Sequence, residues 1–268
     1  MIAEQEIVGR GAVEGARLMR DWFARLDAAA ERKETAAYVF VMGSLAEILR
    51  AFDMHLVFPE INSLQTAVRH VAHEYLGMAE DYGYSPDVCG YVKADVAMQL
   101  QGGKHSMGRL PKPALALATN ACNTYVKWAE FWERYYKIPM VTLDIPGSRT
   151  AAGGAAPGTD AFESDRRYLE IQLRELITEC ERITGKPLDM DRLREVLDYT
   201  NRMAAAWKRV LELNRGRPAL FNALVDGRTE HRWLLRADDR SPEGLRAFEE
   251  ATAFLKEIST HATWGDQM

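Results

Sequence analysis

Between residues 36 and 146 the chain alternates short, β-prone apolar runs with longer helix-like ones, and this alternation limits the fold more than any other feature. Tyr38 to Met42 is the first apolar run, and Gly43-Ser44 breaks it. Leu45 to Phe52 reads as helix, and Met54 to Phe58 is a second apolar run ended by Pro59. Strand, helix and strand joined by tight turns make the unit of a parallel sheet, since parallel neighbours need a crossover connection. A helical pattern follows from Leu64 to Met78, with Val68, Val71, Ala72 and Tyr75 on one side. Gly102 to Pro113 reads as a loop. Ala114 to Ala118 is the next strand, Asn123 to Lys137 its helix (amphipathic from Tyr125 to Tyr136), and Met140 to Leu143 a further strand that stops before Pro146. The expected fold is α/β, a doubly wound and mostly parallel sheet over residues 36–146 with right-handed crossovers.

The flanks differ in character. Residues 1–35 read as an N-terminal helix, with Ile7, Val13, Leu18, Met19, Trp22, Phe23 and Leu26 at roughly helical spacing. Gly9, Gly11 and Gly15 imitate a dinucleotide-binding glycine run, but no strand precedes them, and that fingerprint requires one. Residues 147–160 are rich in Gly, Ala and Pro and read as a flexible linker. In residues 161–215, Leu169, Leu173, Leu176, Cys180 and Ile183 step along one helical face until Gly185-Lys186-Pro187 stops it. Leu193, Leu197, Thr200, Ala204, Trp207 and Leu211 make the stripe of a second helix, so the pair is expected to form a helical hairpin. Residues 216–268 are more weakly patterned, with one helix expected from Pro242 to Ile258. No internal repeat is evident.

Composition narrows the function classes. With 47% hydrophobic and 27% charged residues, the chain has the make-up of a folded globular protein. A net charge of -5 and the lack of a basic, aromatic-laced stripe give no reason to expect nucleic acid, although local sites can still take anionic small molecules. No apolar run approaches the roughly 18–20 residues that span a bilayer, and the N-terminus lacks a signal-like core, so a soluble, cytoplasmic protein is expected. Three cysteines cannot all pair, and a reducing compartment keeps them as thiols for packing, metal ligation or reactivity.

Two of the thiols stand at element boundaries. Cys89 lies in the turn-rich start of Tyr82 to Leu100, between Pro86 and Gly90. Asp87 and Asp95 nearby read as caps or turn formers. Cys122 falls past the carboxyl end of a strand, in the first turn of a helix that Asn120 or Asn123 can cap. Ligands of open α/β sheets bind at that edge, where free N–H groups and the helix dipole favour negative charge. The alternative for Cys122 is a small buried hydrophobe, and Cys180, within an apolar stripe, reads as core. The spacing fits neither a zinc knuckle nor a CxxC pair. It leaves an iron–sulfur site assembled from loops, or a nucleophilic cysteine served by His70 or His73. Without an HExxH pattern, His70, His73 and Glu74 read as a solvated helix face. Ser44 follows the first strand and Glu60 the second, at the same edge as Cys122; the structural alternatives are an N-cap and an exposed turn carboxylate.

Ser-Pro-Asp-Val-Cys-Gly-Tyr-Val-Lys-Ala-Asp (85–95), Thr-Asn-Ala-Cys-Asn-Thr-Tyr-Val-Lys-Trp-Ala-Glu (119–130) and Val-Thr-Leu-Asp-Ile-Pro (141–146) together resemble the benzoyl-CoA reductase and 2-hydroxyacyl-CoA dehydratase family, over residues from about 38 to 215. The resemblance implies a pair of related subunits, each an α/β protein holding a [4Fe-4S] cluster through three cysteines. It also implies a separate ATP-hydrolysing iron–sulfur activator that delivers an electron at low potential to a CoA thioester. The electron serves to reduce an aromatic ring or to eliminate a hydroxyl through a ketyl radical. By motif, Cys89 and Cys122 match two cluster ligands, and Ser44 and Glu60 fall near positions lining the substrate pocket. Family subunits continue into a second α/β domain that supplies the third cysteine, and this chain stops near its start. The expectation is an iron–sulfur subunit of a benzoyl-CoA reductase-like heterodimer. The alternatives are a 2-hydroxyacyl-CoA dehydratase subunit and a truncated, non-catalytic assembly module.

Overall fold

A computed structural model describes residues 10–41, 44–147 and 154–213, with residues 215, 242 and 246 as isolated positions. Most of the expected helix from Pro242 to Ile258, Gly9 of the glycine run and residues 148–153 of the linker lie outside the described residues. The chain divides into two compact units, one of Leu26–Met190 and one of Met1–Arg25 with Asp191–Met268.

The first unit is built on the parallel sheet. Strands β1 (Ala36–Val39), β2 (His55–Val57), β5 (Leu115–Thr119) and β6 (Met140–Leu143) lie in the order β2-β1-β5-β6, all parallel. Every residue of β1 and β5 is buried, as continuous apolar runs must be when both faces of a sheet are covered. Helix α2 (Ala46–Ala51) joins β1 to β2, and α6 (Asn123–Tyr136) joins β5 to β6. Because the chain winds from β1 outward to β2, then returns past β1 to β5, the connections diverge between β1 and β5. The carboxyl ends of these two strands therefore border the crevice that such a reversal opens.

Phe40, just past β1, fills the space between sheet and α6. Its ring stacks on Tyr125 at 3.9 Å and meets Trp128 and Trp132 at 5.2 Å. All four rings are buried.

Three features depart from the sequence expectation. The helix expected from Leu64 to Met78 is two helices, α3 (Pro59–Val68) and α4 (Ala72–Tyr82). His70 takes a left-handed φ of 60° between them, and Val71 N–H bonds back to Thr66 C=O at 2.9 Å. Glycine normally marks such a stop, and a histidine there gave no warning. Pro59, which ends the second strand, also opens α3, where its missing N–H is harmless. The stretch before Leu100, read only for its turns, contains α5 (Gly90–Leu100), in which every residue from Val92 to Gln99 is buried. A helix covered all round carries no amphipathic period to detect. Finally, the loop after α5 holds a small antiparallel hairpin, β3 (Lys104–His105) and β4 (Gly108–Arg109). Arg109 N–H reaches Asp27 Oδ1 at 2.8 Å and so ties the hairpin to α1 (Arg10–Arg32).

Helix α7 (Asp160–Thr184) closes this unit. Thr159 caps it, accepting from Phe162 N–H at 3.2 Å, and Gly185 ends it in the left-handed conformation. Leu176 and Cys180 are its buried residues, on the stripe expected.

In the other unit, α1 buries Leu18, Met19 and Phe23, and α8 (Met190–Leu213) buries Val196, Met203, Ala206 and Val210. The stripe expected for α8 lies one position away, and Leu197 and Leu211 on it are exposed. Both sets repeat with the helical period, so the sequence alone did not choose between two adjacent faces.

Phe40→Ala removes the ring that the three aromatic side chains of α6 share. We expect a loss of about 3–5 kcal/mol of unfolding free energy, measured by urea denaturation followed by circular dichroism. A loss below about 1 kcal/mol would contradict this packing.

Candidate functional site

Helices α5 and α6 both begin on a cysteine. Cys89 is the N-cap residue of α5 and is exposed; Cys122 is the N-cap residue of α6 and is half-buried. Neither side chain makes a capping hydrogen bond, so neither sulfur is committed to its own helix. The turn that carries Cys89 is stapled from within: buried Lys93 donates from Nζ to Glu80 Oε1 at 2.6 Å and to Pro86 C=O at 2.9 Å. Asn120 was expected as a possible cap for α6. It instead links the ends of β5 and β6, donating to Asp144 Oδ1 at 2.6 Å and accepting from Ile145 N–H at 3.0 Å.

Glu60, in the first turn of α3, joins three elements. Its Oε2 accepts from Val41 N–H, beyond β1, at 2.6 Å, and its Oε1 accepts from Tyr125 O–H, in the first turn of α6, at 2.6 Å. It is half-buried with both oxygens bonded, not an exposed turn carboxylate. Tyr91 stands in the first turn of α5. Burial chiefly, then the negative charge of Glu60 and of Cys89, holds its phenol above the ordinary range. Ser63 O–H donates to Tyr91 C=O at 2.8 Å, which fastens α3 to the same turn. Helix α3 is thus tied to the first turn of α6 by Glu60 and to the first turn of α5 by Ser63.

Ser44 is buried, but Leu45, with a left-handed φ of 46°, is the N-cap of α2, so Ser44 does not cap that helix. His70 and His73 are exposed, one in the turn before α4 and one in its first turn. Cys180 is fully buried in α7, where burial pushes its thiol up to about 12. Asn62 is also buried, and neither polar atom of its amide has a hydrogen-bond partner among the described residues. Among those residues no three His, Cys, Asp or Glu side chains converge as a metal-holding group. No helix among them is long and apolar enough to cross a membrane.

A pocket of about 320 Å³ opens beside Cys89, bounded by residues of α3, α4 and α5 that include Ala67, Leu76, Tyr91 and Ala94. Sequence reasoning did not anticipate it, because it depends on the helix break at His70 and on α5.

Residues 43–263 match the family model described as 2-hydroxyglutaryl-CoA dehydratase, D-component. The chain is 34% identical over 209 residues to a benzoyl-CoA reductase subunit of Thauera aromatica, covering 76% of this chain and 46% of that protein. It is 30% identical over 179 residues to the (R)-phenyllactyl-CoA dehydratase alpha subunit of Clostridium sporogenes, with 66% and 41% covered. To the (R)-2-hydroxyglutaryl-CoA dehydratase alpha subunit of Acidaminococcus fermentans it is 31% identical over 249 residues, with 66% and 50% covered. The chain spans about half the length of these relatives.

What holds the two cysteine-bearing helices together is Asp95. Fully buried on α5, it accepts from Trp128 Nε1 and Trp132 Nε1 of α6, both at 2.7 Å on Oδ2, and from Gln99 Nε2 at 2.7 Å on Oδ1. Gln99 Oε1 in turn accepts from Tyr136 O–H at 2.7 Å. Burial pushes the Asp95 carboxyl up to about 6, and the three N–H donors pull against it. Since the folded-state value exceeds that of the unfolded chain, the folded protein retains the extra proton between about pH 4 and 6. The stabilising contribution of this group is complete below that window and is lost as pH rises through it. Wild type should therefore lose about 2–3 kcal/mol relative to Asp95→Asn between pH 4 and 7. Paired urea titrations at the two pH values test this, and a difference independent of pH refutes it.

Proposed function

Because the chain belongs to the 2-hydroxyglutaryl-CoA dehydratase D-component family, we propose that it is an iron–sulfur subunit of an enzyme acting on an acyl-CoA thioester. In this reading Cys89 and Cys122 are two thiolate ligands of a [4Fe-4S] cluster, and the remaining protein ligand comes from outside the described residues. The observation that carries it is that two uncommitted sulfurs stand at the starts of α5 and α6, and that α3 braces both first turns, through Ser63 to the Tyr91 carbonyl and through Glu60 to the Tyr125 hydroxyl. The donor set suits iron: soft thiolates at helix N-termini, beside a largely apolar wall that limits water. When bound, the cluster supplies one-electron chemistry at low potential, and the protein positions and shields it.

The chain's own residues have defined tasks. Lys93 fixes the turn of Cys89, and Asn120 fixes the loop before Cys122. Ser44 and Glu60 line the thioester side, with Tyr125 holding the Glu60 carboxylate in place. The Asn62 amide leaves hydrogen-bonding capacity unspent in the same turn of α3 as Glu60. A related cluster-bearing subunit completes the site, and a separate ATP-hydrolysing iron–sulfur activator supplies the electron, in the cytoplasm.

The reaction proposed is reduction of an aromatic acyl-CoA, for which the 34% identity to the Thauera benzoyl-CoA reductase subunit speaks. A dehydratase subunit, eliminating water from a 2-hydroxyacyl-CoA, is the second reading, favoured by the description of the family model. A non-catalytic assembly module is the third reading.

Anaerobic purification with the partner subunit, followed by iron analysis and EPR, tests the proposal. Cys89→Ser and Cys122→Ser should each lower bound iron at least about tenfold, while Cys180→Ala leaves it unchanged. Iron retained in either of the first two variants removes the ligand assignment, and iron-free wild type points to the assembly module. Benzoyl-CoA and an (R)-2-hydroxyacyl-CoA, offered to the activated complex, separate the two reactions by product: a cyclic diene or an enoyl thioester.

A further inference from the structure

Gly102 to Pro113, the stretch that forms the β3–β4 hairpin, carries Lys104, Arg109 and Lys112, and all three are exposed. Arg69, the exposed C-cap residue of α3, reaches the same hairpin and places its Nη2 on Met107 Sδ. Among the described residues, none of these four cationic side chains has a carboxylate partner. Other exposed cations are commonly paired, as Arg17 is with Asp21, Arg134 with Glu130 and Arg174 with Glu170.

The hairpin also sorts its charges by face. Lys104 pairs directly with Arg109, and His105 with Gly108. Directly opposed residues share a face and successive ones alternate, so Lys104 and Arg109 stand on one side and His105 and Gly108 on the other. Asp27 belongs to the second side: a Cβ on Gly108 would lie 3.1 Å from its Cγ, and its charge acts on His105. Burial pushes His105 down to about 4, so at pH 7 the imidazole is neutral. Two like charges set directly opposite each other cost stability unless the other sign is supplied. The support beneath them is fixed. Leu110 N–H donates to Gly103 C=O at 2.9 Å, and Arg109 N–H to Asp27 Oδ1 at 2.8 Å.

We propose that the outward face of the β3–β4 hairpin, with Arg69 beside it, is a binding site for a phosphate-bearing anion. A phosphate group brings a charge of about −1.5 to −2 and three acceptor oxygens, enough for Lys104, Arg109 and Arg69 together. A single carboxylate, with one charge and two oxygens, leaves part of that set unserved. Cations also suit the carbonyl ends of α3 and α5, which finish here. Arg69 nevertheless turns its guanidinium to Met107, and Lys104 and Arg109 oppose each other. Two sources present the required chemistry: a free phosphate or diphosphate, and the nucleotide end of a CoA thioester.

Calorimetric titration of the full chain with pyrophosphate at pH 7 tests the site. Saturable binding is expected, weakened at least about tenfold when Lys104→Gln and Arg109→Gln are combined. Arg69→Gln, on a different element, should weaken it at least about threefold, while Arg134→Gln, which removes a paired cation of α6, leaves it unchanged. All four positions are exposed, and circular dichroism checks that each variant is folded. Acetate should bind at least about tenfold more weakly than pyrophosphate. Absence of pyrophosphate binding, binding unmoved by the hairpin substitutions, an equal loss in Arg134→Gln, or acetate binding as tightly, each overturns the proposal. CoA and 3′-dephospho-CoA then assign the source. If the site takes the nucleotide end of a CoA thioester, CoA binds at least about tenfold tighter than pyrophosphate and loses that margin without its 3′-phosphate. If it takes free phosphates, CoA binds no tighter. Both results uphold the site. Neither iron nor an acyl group enters the measurement, so its failure and that of the cysteine ligand assignment are read separately.

Discussion

A single buried carboxylate holds the two halves of the candidate site in register. Asp95 and Gln99 stand one turn apart on α5, and Trp128, Trp132 and Tyr136 stand one turn apart on α6, so two helical ladders face each other and interlock. The indole N–H groups satisfy one carboxylate oxygen and the Gln99 amide the other, which is what permits a carboxylate to remain in the core. Tyr38 on β1 adds a third element: its hydroxyl donates to Pro111 C=O at 3.0 Å and passes the Gln99 oxygen at the longer distance of 3.4 Å. A set of hydrophobic side chains would hold the helices together as firmly, since buried charge is an expensive adhesive. Hydrogen bonds have direction, however, and apolar contacts do not. With five side chains joined in this way, sliding α5 along α6 by one residue breaks all three bonds that cross between the helices at once, and the helix starts cannot drift apart.

The same logic operates at the other end of the two helices. Glu60 grips Tyr125 three residues after Cys122, and Ser63 grips the Tyr91 carbonyl two residues after Cys89. Helix α3 therefore acts as a brace across the first turns of α5 and α6, while Asp95 acts one to two turns farther in. The cysteines stand two and three residues ahead of these braced positions, which leaves their sulfurs uncommitted yet fixed in origin. Placement of reactive side chains on rigid element ends, with their supports behind them, is how folds deliver geometry that loops alone do not.

Much of this was legible in the sequence, for reasons that can be named. The central strands β1 and β5 were visible because a parallel sheet buries both faces and they read as uninterrupted apolar runs: Leu115 to Ala118 has no polar residue to disguise it. Helix α6 was visible because one side faces water. Cys122 could be placed at the start of that helix from pattern alone, and Ser44 and Glu60 after their strands likewise. Helix α5 was hidden by the opposite cause. It is enclosed on every side, and it turns Lys93, Asp95 and Gln99 inward, so its polar residues fall where a pattern reader expects solvent. The role of Asp95 was invisible for the same reason: nothing in Val-Lys-Ala-Asp-Val announces that two tryptophans of another helix will meet the aspartate. The pocket was out of reach because it exists only when α3 stops at Val68, and the stop is made by a histidine in a conformation usually left to glycine.

The three polar side chains buried on α5 also divide the labour along its length. Lys93, near the start, is bonded outward to Glu80 of α4 and to the Pro86 carbonyl, and so governs the turn that presents Cys89. Asp95 and Gln99 are bonded inward and sideways, to α6 and within α5, and so govern the distance between helices. A helix whose polar groups served only stability would carry apolar residues at these positions, since all three are buried and apolar replacements relieve the desolvation that burial imposes. That α5 instead spends its interior on directional bonds is what a helix needs when its first residue must be held at a fixed place relative to a second helix start. The mostly apolar pocket on the α3 and α4 side of α5 follows from the same arrangement: with the polar side chains of α5 occupied elsewhere, its remaining flank consists of Ala94, Gly90 and the Tyr91 ring, a surface suited to hydrocarbon.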